Sequence, residues 1–270
     1  MKKTSVFWIA MLLIVAMLAG CAPASNTEPT PTEPPATHET EEPTTAPTEA
    51  PTEITTETPT EEDVHYEGDA TSYYIDVVYA EQIARYDTAL SEKWNEEQYL
   101  DNGMSEVPAA YYEGNPLNNV GFGFVDLDND GHWELVIGAL LDAEEYPAVF
   151  EIWTLVDGKP VMLAQANARS QYALQYVEED NMWYIANESS DYISGHGTYY
   201  LMLLEGELNV MQGILYNSKA DAQNPWFMTY DMDWDVSNDE PIDEDMANAI
   251  LENNRSHYTA LEMIPYILYN

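Results

Sequence analysis

The spacing of hydrophobic positions along the chain changes several times, and each change marks an element. Val6 to Leu18 is an unbroken apolar run of 13 residues, shorter than the roughly 20 that a bilayer-spanning helix needs. Residues 22 to 62 carry one large aliphatic side chain, Ile54. From Val77 to Lys93, the residues Tyr79, Ile83, Tyr86 and Leu90 fall at spacings of four, three and four. That pattern predicts a helix with one apolar face. A second helical stretch is expected from about Glu96 to Tyr112, broken near Gly103 and Pro108, and Gly114-Asn115-Pro116 reads as a turn.

Beyond that turn the chain reads as strands. Val120 to Val125 and Glu134 to Ile137 are the first two. Val149 to Val156, closed by Asp157-Gly158, runs into Pro160 to Gln165 as a hairpin. Tyr172 to Val177 with Met182 to Ala186 reads as another, and Thr198 to Leu204 with Leu208 to Leu215, across Glu205-Gly206, as a third. Asp243 is placed to cap a helix running to about His257, with acids in its first turn, and Leu261 to Leu268 is expected to be a last strand. The predicted class is α+β: a helical N-terminal segment, a central antiparallel β-meander, and a C-terminal helix and strand.

The first 20 residues have the layout of a secretion signal, with Lys2 and Lys3 ahead of the short apolar run. Leu18-Ala19-Gly20-Cys21 resembles the bacterial lipobox. That resemblance implies cleavage before Cys21, lipidation of its thiol (palmitate among the expected acyl chains) and a membrane anchor. More than one acyl chain is the condition for stable anchoring. Cys21 is the one Cys of the chain, so lipidation there leaves the mature protein without a disulfide, a thiolate metal ligand or a Cys nucleophile.

Residues 21 to 62 then form the lipidated Cys and its tether. Positions 22 to 62 hold 13 Thr, 9 Pro and 10 Glu with no Lys or Arg. Such a stretch cannot bury enough apolar surface to offset its ordering entropy, so it is expected to be disordered. Proline and like charges favour extension, and in the polyproline limit 41 residues reach roughly 130 Å. Its composition is also that of O-glycosylated stalks. Residues 63 to 270 remain as a single extracellular domain, long enough for a full core. The whole chain carries a formal charge of −41, and 39 of its 49 acidic residues lie in that domain against six Lys and Arg. That field repels phosphate backbones, which argues against nucleic acid as a partner.

One motif stands out. Asp126-Leu127-Asp128-Asn129-Asp130-Gly131-His132-Trp133-Glu134 has carboxylates at positions 1, 3, 5 and 9 and Gly at 6. Alternating carboxylates across a tight turn point oxygens at one centre, and the carbonyl of His132 can add a ligand. Hard oxygen donors in this number suit Ca²⁺. Position 12 is Ile137 and the flanks read as strands, so Glu134 is expected to close the shell, as in the strand–loop–strand calcium loops of integrin-type repeats. A second alternation, Asp231, Asp233 and Asp235, lacks the Gly.

The stretches Tyr86 to Trp94, Gly121 to Gly138, and Ile152-Trp153-Thr154 with Asp157-Gly158-Lys159-Pro160 resemble a group of poorly characterised surface lipoproteins of Clostridia-type Gram-positive bacteria. These share the lipobox, the Thr/Pro-rich tether and one acidic loop. The resemblance implies a place on the outer face of a Gram-positive membrane and calcium binding through Asp126, Asp128, Asp130 and Glu134. It implies no named activity.

Catalytic motifs are missing. The chain has no His-Glu-x-x-His, no phosphate-cradling loop ending in Lys-Ser/Thr and no Gly-x-Ser-x-Gly. Ser194-Gly195-His196-Gly197 fits a plain turn as well as a reactive loop. The expectation is a non-enzymatic binding or adhesion module, stabilised by calcium, with an unidentified protein or glycan ligand. Two alternatives stay open. A carbohydrate-binding module would display a row of exposed Trp or Tyr. A hydrolase would use a carboxylate pair across a cleft, or His196 beside a nucleophile.

Overall fold

The computed structural model describes residues 68–140, 148–191 and 194–269. The expected signal segment, Cys21 and the expected tether lie outside the described residues. The chain divides between Glu61 and Glu62, and all described residues belong to the second unit, Glu62–Asn270.

The unit is mostly β, with five helices among the described residues. Helix α1 (Ala70–Tyr73) is capped by the Asp69 carboxylate, which accepts from Ser72 N–H at 2.9 Å. The chain continues as a π-helical turn, Tyr74–Val78, and then as α2 (Ala80–Glu92). The expected apolar face is present, since Tyr79, Ile83, Tyr86 and Leu90 are all buried. Lys93, at φ 55°, ends α2 in the left-handed region. The second helical stretch splits where expected. Helix α3 (Glu96–Asp101) opens on an Asn95/Gln98 capping box, Gly103 takes φ 64°, and a 3₁₀ turn follows at Val107–Tyr111. Helix α4 (Pro116–Asn119) leads straight into the sheet.

The sheet is antiparallel and has eleven strands: β1 (Val120–Val125), β2 (Glu134–Ala139), β3 (Val149–Val156), β4 (Lys159–Gln165), β5 (Ser170–Val177), β6 (Met182–Ser190), β7 (Gly195–Leu204), β8 (Glu207–Asn217), β9 (Trp226–Thr229), β10 (Glu240–Pro241) and β11 (Ile264–Pro265). Their order is β10-β9-β8-β7-β6-β5-β3-β2-β1-β11, with β4 branching off β3. All three expected hairpins form. In two of them Asp157-Gly158 (φ 52° and 69°) and Glu205-Gly206 (φ 53° and 79°) supply the pair of positive φ angles that a two-residue turn requires. Helix α5 (Glu244–Arg255) is capped by Asp243, which accepts from Met246 N–H.

Two expectations need correction. The last strand is not Leu261 to Leu268: only Ile264–Pro265 pair with β1, and Tyr266–Leu268 is a 3₁₀ turn. Pro265 has no N–H to extend the ladder, and Tyr266 turns into the core instead, fully buried. The N-terminal helix also begins earlier than Val77, with a register change at the π turn.

Strand β2 is buried at all six positions, because it serves two cores. On one face Leu135 and Ile137 join Val120, Phe122 and Phe150 beneath Tyr79, Ile83 and Tyr86. On the other, Val136 joins Ile152, Leu174, Ile185 and Leu201. A smaller cluster seats α5 on β8 through Ile214, Ala247 and Leu251.

Candidate metal centre

The acidic loop joins β1 to β2. Val125 and Glu134 are the last pair of that ladder, so Asp126–Trp133 spans the hairpin end. Two residues curl it: Asn129 at φ 60° and Gly131 at φ 90°. Asn and Gly are the residues that accept that region at least cost. The curl turns the backbone N–H groups of Asp130 and Gly131 onto the Asp126 carboxylate, both at 3.1 Å. Asp130 N–H also reaches Asp128 at 3.3 Å, and the Asp130 carboxylate accepts from His132 N–H at 2.7 Å.

The outcome is convergence. Asp126, Asp128 and Asp130 each bring a carboxylate oxygen within 4.8 Å of the others. Asp126 and Asp128 are half-buried and Asp130 is exposed. The Asp128 carboxyl is pushed up, first by burial and then by the charges of Asp130 and Asp126. No Lys or Arg forms an ion pair with the loop among the described residues; His132 Nδ1 lies 3.2 Å from the Asp130 carboxylate. Anionic oxygens held this close, with no Lys or Arg among them, form a group that could hold a metal ion.

The five expected ligands are not placed alike. His132 is exposed and its ring lies beside Asp130. Glu134 stands behind the group. Its Oε2 accepts from Leu127 N–H at 2.8 Å, its Oε1 from the Thr154 hydroxyl at 2.9 Å, and it is 1% exposed. Burial pushes its carboxyl up to about 7, the Leu127 and Thr154 bonds oppose that, and Asp128 and Asp130 add to it. Glu134 thus links the loop to β3 and does not share the point where the three aspartates meet. The Asp231, Asp233 and Asp235 carboxylates are not brought together within that reach.

Sequence reasoning missed the outer grip on the loop. Trp133 N–H donates to Tyr74 Oη at 3.1 Å, and the Tyr79 hydroxyl donates to the Trp133 carbonyl at 2.9 Å. The Trp133 ring stacks on Tyr74, centroids 5.2 Å apart at 25°. On the other side Asn129 Nδ2 reaches the Asn181 carbonyl at 3.3 Å. A second buried carboxylate, Glu151, takes N–H donors from Ser105 (2.8 Å) and the Trp153 indole (3.0 Å), and burial raises its pKa. The signal for Glu151 was available: a Glu in the middle of an apolar strand needs partners.

The other candidate groups are occupied. The Ser194 hydroxyl donates to Asp191 at 2.7 Å. His196 lies face to face with Tyr216 at 4.8 Å, and Tyr216 meets Trp226 edge-on. No Trp is among the exposed large hydrophobics of the described residues, and Trp153 is buried. No helix among the described residues is long and apolar enough to cross a membrane. In comparisons with known proteins, the chain matches no family model, no curated protein and no solved structure.

Proposed function

We propose that this chain is a surface lipoprotein, anchored through Cys21 on the outer face of a Gram-positive membrane. Its domain binds one Ca²⁺ at the β1–β2 loop as a structural ion and serves as a non-enzymatic binding or adhesion module. The observation that carries the calcium reading is the convergence of Asp126, Asp128 and Asp130 within 4.8 Å on a loop curled by Asn129 and Gly131. The anchoring part rests on the Leu18-Ala19-Gly20-Cys21 pattern and the Thr/Pro/Glu composition of the next 41 residues. The non-enzymatic part is supported by the Ser194 hydroxyl and the His196 ring being engaged elsewhere than with each other.

A thermal melt of the full chain in detergent, in calcium and in EDTA, tests the ion. Calcium at a hundredfold excess over its Kd adds about 2.7 kcal/mol to the wild type and nothing to an Asp126→Ala/Asp128→Ala variant. Coincident wild-type curves remove the calcium reading. Labelling with a palmitate analogue, with Cys21→Ser beside it, tests the anchor: label on the wild type and none on the variant is the expected result.

A further inference from the structure

We propose that the turn from Asp231 to Asp239, where it crosses the start of β7, is a binding site for an alkylammonium group, the end of a lysine side chain or of a small diamine. The site is separate from the β1–β2 loop and stands whether or not that loop binds calcium.

Acids on an exposed turn are ordinarily solvated and no more. Here two buried atoms stand beside them. Tyr199 Oη and Asp239 Oδ2 are shielded from water and have no hydrogen-bond partner among the described residues, and Tyr199 is 1% exposed. Buried polar groups are rarely left so, because each has given up its hydration. Three glycines bring these groups under the turn. Gly195, Gly197 and Tyr199 lie on one face of β7, and Gly213 and Thr229 continue the row across β8 and β9. A Cβ at Gly197 would meet the Tyr199 ring and hydroxyl at 2.7 Å, one at Gly213 would meet the Tyr199 ring and Thr229 Cγ2 at 2.7 Å, and one at Gly195 would meet the Trp234 ring at 2.8 Å. The Tyr199 hydroxyl therefore lies over Gly197, one face position and about 7 Å from where Trp234 covers Gly195.

The charges point the same way. Burial, then Asp231, Asp239 and Asp233, push the Tyr199 hydroxyl up to about 12, with Ser189 acting against them. Burial raises the Asp239 carboxyl, Thr229 opposes that, and Asp231, Asp233 and Asp235 add to it. Thr229 is fully buried, and its hydroxyl donates to Asp231 at 3.3 Å. No Lys or Arg among the described residues forms an ion pair with any of these four acids, and Asp231, Asp233 and Asp235 do not converge as a metal ion requires. The group that fits is larger than a metal ion and carries its own donors. An ammonium has three N–H donors pointing apart, and Asp239 Oδ2, Tyr199 Oη and Asp231 are three separate acceptors. A guanidinium fork wants both oxygens of one carboxylate, and Thr229 already engages that of Asp239. The half-buried Trp234 ring adds a face on which a cation can rest.

Equilibrium dialysis of the full chain in detergent, at physiological salt and in excess calcium, decides it with two labelled probes, putrescine and Nα-acetyl-lysine amide. Expected is one saturable site per chain for at least one of them. Putrescine alone assigns a free diamine, and the lysine amide assigns a side chain of another protein. Asp239→Asn keeps the shape and removes the charge, and should weaken binding about tenfold or more. Tyr199→Phe keeps the ring and removes the hydroxyl, and should weaken it about threefold; if either variant fails to fold by far-UV dichroism, the other decides. Asp126→Ala/Asp128→Ala should bind as the wild type does. No saturable binding of either probe overturns the site. So does equal affinity in the wild type and the folded variants, the mark of diffuse attraction to an acidic surface, and so does a loss confined to Asp126→Ala/Asp128→Ala, which would move the amine to the β1–β2 loop.

Discussion

Two stretches of this chain share the spacing Asp-x-Asp-x-Asp, and they fold differently. At Asp126, Asp128 and Asp130 the carboxylates converge; at Asp231, Asp233 and Asp235 they do not. The first stretch has Asn129 and Gly131 in the left-handed region, and the second has no positive φ anywhere among its residues. In the first, the Asp126 carboxylate collects N–H groups four and five residues ahead, which closes a ring. In the second, each Asp accepts from the residue two ahead: Asp233 to Asp231 (3.2 Å), Asp235 to Asp233 (2.8 Å), Ser237 to Asp235 (3.0 Å). That is a staircase, and its carboxylates succeed one another along the chain. The alternation of acids supplies the carboxylates, and the residues between them decide whether those carboxylates meet.

The comparison can be broken most strongly by calcium itself. The roughly 2.7 kcal/mol that the proposed ion would add at a hundredfold excess is expected to vanish in Asp126→Ala/Asp128→Ala and to survive intact in Asp231→Ala/Asp233→Ala, as read by melting midpoints. A shift lost in the second variant as well would make the two stretches equivalent. Of similar size is the pH response of Glu134. In the folded domain its carboxyl keeps a proton up to about 7, while its ordinary value is 4.5. The stability it contributes is complete below 4.5 and is lost as pH rises through 7, by up to about 3 kcal/mol. In EDTA the melting midpoint should therefore fall between pH 5 and 8, less steeply in Glu134→Gln; parallel slopes would remove Glu134 from the account. Gly131→Ala should cost about 1–2 kcal/mol and weaken calcium binding by titration calorimetry. A Cβ there meets nothing within 4 Å, so the cost is one of backbone conformation at φ 90°. Smallest is Asp235→Ala, which frees one N–H at a short 3₁₀ turn. It should shift the midpoint by no more than about 0.5 kcal/mol, and a larger loss would mean that the staircase holds the fold.

The features legible in advance divide along the same line. Tyr79, Ile83, Tyr86 and Leu90 were legible because helical spacing alone puts them on one face. Asp157-Gly158 and Glu205-Gly206 were legible because a two-residue turn is a local demand. Strands β9 and β10 were not, since four and two residues carry no period, and Phe227 and Pro241 are paired by the sheet and not by their neighbours in sequence. The site divides likewise. Its sharp turn was visible in Gly131 at position 6, and the part that Asn129 takes in the curl was not. The direction of Glu134 was not, because it depends on Thr154, twenty residues away and delivered by the pairing of Leu135 with Trp153. The grip of Tyr74 on Trp133 spans 59 residues and has no local trace at all.

Strand β1 is closed on its outer side by β11, where Gly121 pairs with Pro265 and Phe122 with Ile264. Tyr266 then packs its ring 5.1 Å from Phe122 and 6.4 Å from Tyr86. A polypeptide that emerges from its N-terminus builds α2, β1 and β2 early, yet the piece that covers them follows much later in the chain. Until residues 264 to 266 are out, the flank of β1 lacks its ladder and the aromatic core lacks a ring. Folding of this layer thus waits for residues 264 to 266, and a chain that lacks them is left with an open β1 edge ready to pair with another copy of itself.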